Sequence, residues 1–164
     1  MPPNLSRILL SALLALTSLD APAAGRFEGR AKVIDGDSLE IAGTRVRLWG
    51  IDAPEYSQIC VRGGADWKGG KAAIRALRGR VSGRRVSCET LEVDRYDRSV
   101  ARGEVGGRSL NEWLVHEGWA LDYRRYSHGT YAHAQASAKS ARRGIWAGDF
   151  ESPESLRHRE PSKR

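Results

Sequence analysis

The order of its short strand and helix signals constrains the fold of this chain more than any other feature. Residues 26–51 predict strands, because apolar and polar residues alternate on both sides of a Gly-Thr turn at 43–44. Strand signals return at residues 86–91 and 100–105. Because the strands do not alternate regularly with helices, the pattern favours a small barrel over a doubly wound parallel sheet.

Three helix signals accompany these strands. The first covers residues 71–78, between the third and fourth strands. The second follows a capping box from Ser109 to Glu112 and ends at Gly118, while the third covers residues 130–143. Five strands with a helix between the third and fourth predict an α+β protein. Its centre would be a five-stranded OB-fold β-barrel, whose open face commonly binds oligonucleotides.

The two ends of the chain differ in composition from its middle. A basic residue, the apolar stretch at 8–16 and small residues before Ala24 predict a signal peptide over residues 1–24, cleaved near Ala23-Ala24. The apolar stretch is shorter than the roughly 20 residues that span a bilayer. We therefore expect a secreted or periplasmic protein with no stable membrane anchor; an uncleaved anchor is the alternative. Residues 149–164 have few apolar side chains and predict a disordered polar tail.

The chain is strongly basic. Its formal net charge is +7, and 22 of its 27 Lys and Arg residues are Arg. A planar guanidinium can bind two phosphate oxygens at once, so this charge suits nucleic acid, an anionic membrane surface or an acidic glycan. A high Arg content can also reflect codon usage alone. The charge therefore indicates a class of partner and no chemistry.

Two cysteines, Cys60 and Cys88, follow the predicted signal. Export would permit a disulfide between them, and two buried free thiols explain the count equally well. The sequence lacks the C-x-x-C and H-E-x-x-H spacings that are typical of zinc sites.

The segment from residue 33 to residue 55 carries an unusual group of acidic residues. Five of them fall within 21 positions of this basic chain: Asp35, Asp37, Glu40, Asp52 and Glu55. Hard carboxylate oxygens in such a group suit Ca²⁺ or Mg²⁺. Asp-Gly pairs are also ordinary turn formers, so the acids alone leave metal binding open. Arg45 and Arg47 lie among them on one strand face, and a metal ion beside a guanidinium is what stabilises charge on a phosphate.

Three sequence motifs follow one another along the chain. Residues 34–38 read Ile-Asp-Gly-Asp-Ser, residues 47–55 read Arg-Leu-Trp-Gly-Ile-Asp-Ala-Pro-Glu, and residues 94–98 read Asp-Arg-Tyr-Asp-Arg. In this order the motifs resemble those of the thermonuclease family, also called staphylococcal nuclease-like. The likeness covers residues 26–148 and implies the same OB barrel.

The resemblance implies a metal site and a base. Asp37 and Asp52 would bind Ca²⁺ through their carboxylates, and Ala53 would add its main-chain carbonyl. Glu55 would orient or deprotonate the attacking water.

It also implies a phosphate clamp and a nucleotide pocket. Arg47 and Arg98 would bind the phosphate, while Tyr96, Tyr126 and Arg95 would contact the nucleotide. The expected activity is hydrolysis of DNA and RNA, with single-stranded nucleic acid as substrate, mainly endonucleolytic, by a monomer.

Two other functions remain open at this point. One is a non-catalytic nucleic-acid-binding module on the same fold, although members of the family without activity usually lack one or more of the acids or Arg residues that this chain keeps. The other is an exported protein that binds surface polyanions, with the acids acting only as turn formers.

Two departures from the family pattern affect these expectations. Asp97 replaces a usual Gly, which predicts a strained backbone if that position needs a positive φ angle. Its carboxylate would also stand beside Arg98 and weaken phosphate binding. Gly69 and Gly103 stand near positions where many exported relatives carry further cysteines, so Cys60 and Cys88 could have lost their partners.

Overall fold

The computed structural model describes residues 25–159. The predicted signal peptide and the last five residues of the predicted tail lie outside the described residues. The strands are β1 (Arg26–Asp35), β2 (Ser38–Ile41), β3 (Thr44–Leu48), β4 (Ile51–Asp52), β5 (Cys60–Arg62), β6 (Ala65–Trp67), β7 (Arg85–Val93), β8 (Ser99–Val105), β9 (Arg108–Ser109) and β10 (Leu121–Asp122). The helices are α1 (Gly69–Val81), α2 (Leu110–His116), α3 (Arg124–Ser127), α4 (Ala132–Ser140), a 3₁₀ turn (Gly144–Ala147) and α5 (Pro153–Arg159).

Five of these strands close into a barrel. The strand β1 pairs antiparallel with both β2 and β7, β2 continues to β3, and β7 continues to β8. A parallel pairing of β3 with β8 closes the barrel, with Arg47 opposite Val100. The prediction of a five-stranded OB-fold barrel in an α+β protein is therefore confirmed, and the helix between the third and fourth barrel strands is α1.

The alternation seen in the sequence becomes the inside and outside of this barrel. Leu39, Ile41, Val46 and Leu48 are at most 1% exposed and fill the interior. The polar residues between them face the other way, because successive side chains of a strand point to opposite faces. Burial of the apolar set therefore turns Arg47 outward from the core.

Helix α2 is fastened to the barrel at a fixed position. The Ser109 hydroxyl accepts a hydrogen bond from the Glu112 amide at 3.1 Å, which confirms the predicted cap. Asn111 is fully buried and accepts from the Gly103 amide at 2.9 Å, and its own amide donates to the Trp49 carbonyl at 2.9 Å. The predicted third helix is shorter than expected, since α4 ends at Ser140, just before Arg142 adopts a φ of 52°.

The prediction of a disordered tail is wrong for residues 149–159. Asp149 and Val61 exchange main-chain hydrogen bonds of 2.8 and 2.7 Å, Pro153 is buried, and α5 follows. Low apolar content indicated little packing, but main-chain and polar side-chain contacts hold this segment instead.

Cys60 and Cys88 are both free and both buried, so the structure supports the alternative of two thiols. Gly69 lies against Cys60: a Cβ atom at Gly69 would be 3.5 Å from the Cys60 Cβ. Gly103 is paired with Cys88 across β7 and β8. Each thiol therefore faces a glycine at one of the positions where the resemblance implied a further cysteine. Within residues 25–159, no helix has the length and apolar character needed to cross a membrane.

Candidate active site

Three predicted site residues meet where β2, β3 and β4 approach one another. Asp37 and Asp52 are 8% and 3% exposed. One terminal nitrogen of Arg47 contacts Asp37 Oδ2, while the other lies 3.6 Å from Asp52 Oδ1 and donates to the Ile51 carbonyl at 3.2 Å. We call Asp37, Arg47 and Asp52 the floor of the site.

Further hydrogen bonds fix the Asp37 carboxylate. Ser38 donates its hydroxyl proton to Oδ1 at 3.1 Å, and the Ala53 amide donates to Oδ2 at 3.1 Å. The Ala53 amide thus contacts Asp37, the predicted metal ligand. Metal binding by the Ala53 carbonyl stays a prediction. Ser38 therefore helps to hold the Asp37 carboxylate in place.

Burial perturbs the charged groups of the floor. It raises the pKa of Asp52, against the opposing effects of the Arg157 and Arg47 guanidiniums. Burial also lowers the pKa of Arg47; Asp52 opposes this shift, while Arg98 and Arg157 add to it. The neighbouring Asp35 has a pKa raised mainly by burial, although its carboxylate accepts the Gly36 amide at 2.8 Å. Each charge in the floor therefore depends on its partners.

The remaining predicted residues surround the floor and are more exposed. We call Glu55, Arg95, Tyr96, Arg98 and Tyr126 the rim. Floor and rim face one open cavity of about 490 Å³, with Asp52 buried just beside it. The structure therefore brings together every site residue that the sequence predicted.

Arg98 is positioned by an acidic residue of its own motif. Its Nε and Nη2 atoms lie 2.8 and 2.7 Å from Asp94 Oδ2, and its amide donates to Asp94 Oδ1 at 3.0 Å. Partial burial alone would raise the pKa of Asp94, but its hydrogen bonds with Arg98 and Tyr96 lower the pKa overall. Asp94 thus holds the Arg98 side chain at the edge of the cavity.

The structure changes the expectation for Asp97. Its φ angle is 58°, so this position does adopt the conformation that favours glycine. However, Asp97 lines a separate cavity with Thr44 and Ser99, while Arg98 faces the site cavity and pairs with Asp94. Asp97 therefore holds the turn in a conformation that favours glycine, and it lines a different cavity from Arg98.

Two residues of the rim are exposed aromatic side chains. Tyr96 and Tyr126 are 54% and 47% exposed. Arg95 donates to the Tyr96 hydroxyl at 2.7 Å, and its guanidinium lies 4.8 Å from the centre of that ring. Tyr126 packs edge-on against Tyr123, with 4.9 Å between ring centres. Exposed rings of this kind can stack on nucleotide bases.

Glu55 follows the floor along the chain, and α1 fixes its backbone. A Cβ atom on Gly70 would lie only 1.7 Å from the Glu55 carbonyl oxygen, so only glycine permits this close approach. Gly70 therefore lets the start of α1 pack directly against the Glu55 main chain. The Glu55 side chain is 38% exposed, within reach of water in the cavity.

Sequence reasoning missed Arg157. This residue of α5 lines the cavity, donates to both Asp52 carboxylate oxygens at 2.9 and 3.0 Å, and donates to Glu55 Oε1 at 2.6 Å. It is separated from these partners by 105 and 102 residues. No local pattern could have indicated the contact in a segment that reads as a polar tail.

The donor set suits a hard cation. Within residues 25–159, no three or more His, Cys, Asp or Glu side chains form a metal-binding group. The floor instead offers two carboxylates, both beside the Arg47 guanidinium, and a cationic group already bridges Asp52 and Glu55. Because Ca²⁺ takes six to eight oxygen ligands, often including water, two carboxylates and one carbonyl leave positions for water and phosphate. The residues present therefore fit the metal.

Comparison with known proteins agrees with this geometry. Residues 45–148 match the family described as staphylococcal nuclease homologue. The match begins after Asp37 and includes Arg47, Asp52, Glu55 and Arg98.

Named relatives extend over most of the chain. The succinoglycan biosynthesis protein ExoI of Rhizobium meliloti is 44% identical over 84% of this chain and 74% of its own length. An uncharacterized endonuclease of Haemophilus influenzae is 32% identical, covering 88% of this chain and 80% of its own. The micrococcal nuclease of Shigella flexneri is 30% identical, with 86% and 84% covered. With its closed barrel and its grouped acids and guanidiniums, the chain belongs to the staphylococcal nuclease family and is a hydrolase of the nuclease class.

Proposed function

We propose that this nuclease depends on Ca²⁺ and hydrolyses phosphodiester bonds of single-stranded DNA and of RNA, mainly within the strand. The observation that carries the proposal is the grouping of two buried carboxylates, one accessible carboxylate and two guanidiniums around one cavity. A binding module needs the basic groups and the aromatic rings, but it does not need a buried acidic pair beneath them.

Each residue has a task in this reaction. Asp37 and Asp52, with the Ala53 carbonyl, would hold Ca²⁺, which supplies positive charge beside the phosphate when it is bound. Arg47 and Arg98 would donate hydrogen bonds to the phosphate oxygens as negative charge builds up on them. Glu55 would orient the attacking water or take its proton, since its carboxylate is accessible from the cavity.

The residues of the rim support binding of nucleic acid without regard to base sequence. Exposed Tyr96 and Tyr126 offer ring faces to any base, and stacking of this kind tolerates both DNA and RNA. The net charge of +7 favours a polyanionic strand. The relatives named endonuclease support cutting within the strand.

Location and assembly belong to the same proposal. The composition of residues 1–24 supports export with cleavage near Ala23-Ala24. All predicted site residues lie in one chain around one cavity, which supports a monomer as the active form.

The test uses purified protein that begins at residue 25, incubated with single-stranded DNA or with RNA, each with Ca²⁺ or with EGTA. We expect cleavage of both substrates with Ca²⁺ and none with EGTA. Cleavage that resists EGTA would overturn the metal assignment. Binding without cleavage would favour the non-catalytic module.

The same experiment should include an acidic exopolysaccharide as a third candidate substrate. One relative carries the name of a succinoglycan biosynthesis protein, so this polymer tests whether the site prefers a non-nucleic polyanion. We expect no cleavage of the polysaccharide, because the proposed clamp acts on phosphate.

A further inference from the structure

Helix α5 contributes one residue, Arg157, to the lining of the active-site cavity. Its Arg157 is the residue that reaches the floor, with bonds to both oxygens of Asp52 and to Glu55. One guanidinium therefore engages a predicted metal ligand and the predicted base at the same time.

Three pairs of contacting residues and one buried side chain hold the segment before Arg157 in place. Asp149 pairs with the Val61 main chain, and the Gln58 amide donates to the Glu151 carbonyl at 2.7 Å. Pro153 is buried, and the Tyr123 hydroxyl donates to Glu154 at 3.1 Å. The segment is therefore docked at several points from Asp149 to Glu154, and the position of Arg157 follows from this docking.

A guanidinium and Ca²⁺ cannot both occupy the Asp52 carboxylate in this way. Both are cations that need the same oxygens, and Arg157 donates to each of the two oxygens of Asp52. The ion pair with Arg157 also occupies Oε1 of Glu55, so this oxygen is not free to accept a hydrogen bond from the attacking water. The contact thus opposes both metal binding and water activation.

The contact is partly exposed to solvent, which allows it to open. Arg157 and Glu55 side chains are 39% and 38% exposed, whereas Asp52 is 4% exposed. Ion pairs in contact with solvent are worth little and are screened by salt. We therefore propose that Arg157 is an internal competitor for the cation site, and that α5 is an autoinhibitory latch which Ca²⁺ displaces from Asp52 and Glu55. This inference rests on the proposed Ca²⁺ site.

The test measures Ca²⁺ binding by calorimetry in low salt, with no nucleic acid present. Arg157→Ala should bind Ca²⁺ about tenfold more tightly than the natural chain, since the competing cation is gone. Arg159→Ala is the matched control: Arg159 lies on the same helix, pairs with Glu151 and is exposed, so its removal should leave the affinity within about twofold. Arg157→Lys, which keeps the charge but loses the bidentate bond, should fall between them.

Amide hydrogen exchange gives a second readout. In the natural chain, Ca²⁺ should speed exchange in residues 153–159, because the helix loses its anchor on the floor. In Arg157→Ala those residues should exchange quickly with or without Ca²⁺. A thermal melt of each variant establishes that the barrel is folded.

The outcomes separate this inference from the proposed function. Equal or weaker Ca²⁺ binding by Arg157→Ala would overturn the latch, and so would an absence of Ca²⁺ binding in both proteins. Tighter binding without nuclease activity would support the latch and count against the proposed reaction. A lower turnover of Arg157→Ala at saturating Ca²⁺, with unchanged Ca²⁺ affinity, would make Arg157 a substrate contact instead.

Discussion

The floor and the rim of the active site carry similar charges but differ in how tightly the protein holds them. In the floor, Asp37 and Asp52 are nearly buried, and Arg47 bridges them. In the rim, Arg98 is 30% exposed and pairs with a single carboxylate, that of Asp94. The floor groups are therefore part of the fold, whereas the rim groups can lose a partner at little cost to stability.

This difference separates two kinds of effect that are usually measured together. A floor substitution should change both turnover and stability, because it leaves a buried charge without a partner. A rim substitution should change turnover alone.

Arg47→Ala should have the largest effect on both quantities. It leaves the buried Asp37 carboxylate without its guanidinium partner, while Asp52 keeps its bonds to Arg157. The loss of this buried ion pair should lower the free energy of unfolding by about 3 kcal/mol. Loss of a phosphate donor should also reduce kcat by about a hundredfold to a thousandfold. Denaturant unfolding and steady-state kinetics measure the two effects. Arg30→Ala on exposed β1 is the control, and an unchanged unfolding free energy in Arg47→Ala would erase the distinction between floor and rim.

Arg98→Ala should reduce kcat at least a hundredfold while the free energy of unfolding changes by about 1 kcal/mol or less. The Asp94 carboxylate keeps its bonds to the Tyr96 and residue-98 amides, so the turn should survive. The same two measurements apply, with Arg75→Ala on the exposed side of α1 as control. Near-normal turnover would remove Arg98 from the phosphate clamp.

Asp97→Gly should stabilise the protein by about 0.5–1 kcal/mol, because glycine adopts a positive φ without strain. Since Asp97 faces a different cavity from Arg98, KM should stay within about twofold. Asp97→Ala is the matched variant: it removes the same charge and keeps the strain, so it should gain no stability. A KM that falls in both variants would show that the carboxylate does reach the substrate.

Two carboxylates should make the free energy of unfolding depend on pH with opposite signs: Asp52 in the floor, and Asp94, which pairs with Arg98 of the rim. The pKa of Asp52 is raised above its ordinary 3.8, so the folded state holds that proton more tightly, and the resulting stability is lost as pH rises above 3.8. The pKa of Asp94 is lowered, so its contribution is present above 3.8 and is lost as pH falls below that value. The measurement is the free energy of unfolding as a function of pH across this range, without Ca²⁺. Asp52→Asn should remove the loss of stability above pH 3.8, and Asp94→Asn should remove the loss below it. Equal slopes in both variants would contradict the opposing shifts.

The barrel and the floor could be predicted from sequence because the signals are local. Leu39 and Ile41 alternate with polar residues, and Arg47, Asp52 and Glu55 lie within one motif. The short hairpin of β5 and β6 was not predicted, since three-residue strands leave almost no period to recognise.

The contacts of the tail could not be predicted for a different reason. Arg157 reaches Asp52 across 105 residues, and its segment is held mainly by main-chain and polar bonds, with Phe150 and Pro153 as its apolar contacts. The composition of residues 149–159 therefore indicated disorder, although this segment packs against the rest of the protein. The pairing of Arg98 with Asp94, in contrast, joins residues four apart and was available to sequence reasoning.

The parallel pairing of β3 with β8 has a consequence for how activity arises during folding. It joins residues 46–48 to residues 99–101, so this contact spans more than 50 positions of the chain. Contacts between distant parts of a chain form late and slowly, because the intervening loop must first lose its conformational freedom. Arg47 pairs with Val100, two residues after Arg98, so this pairing brings Arg47 and Arg98 close together. A chain still emerging during synthesis would therefore carry both guanidiniums without an assembled site, and it would not cleave nucleic acid until the barrel closes.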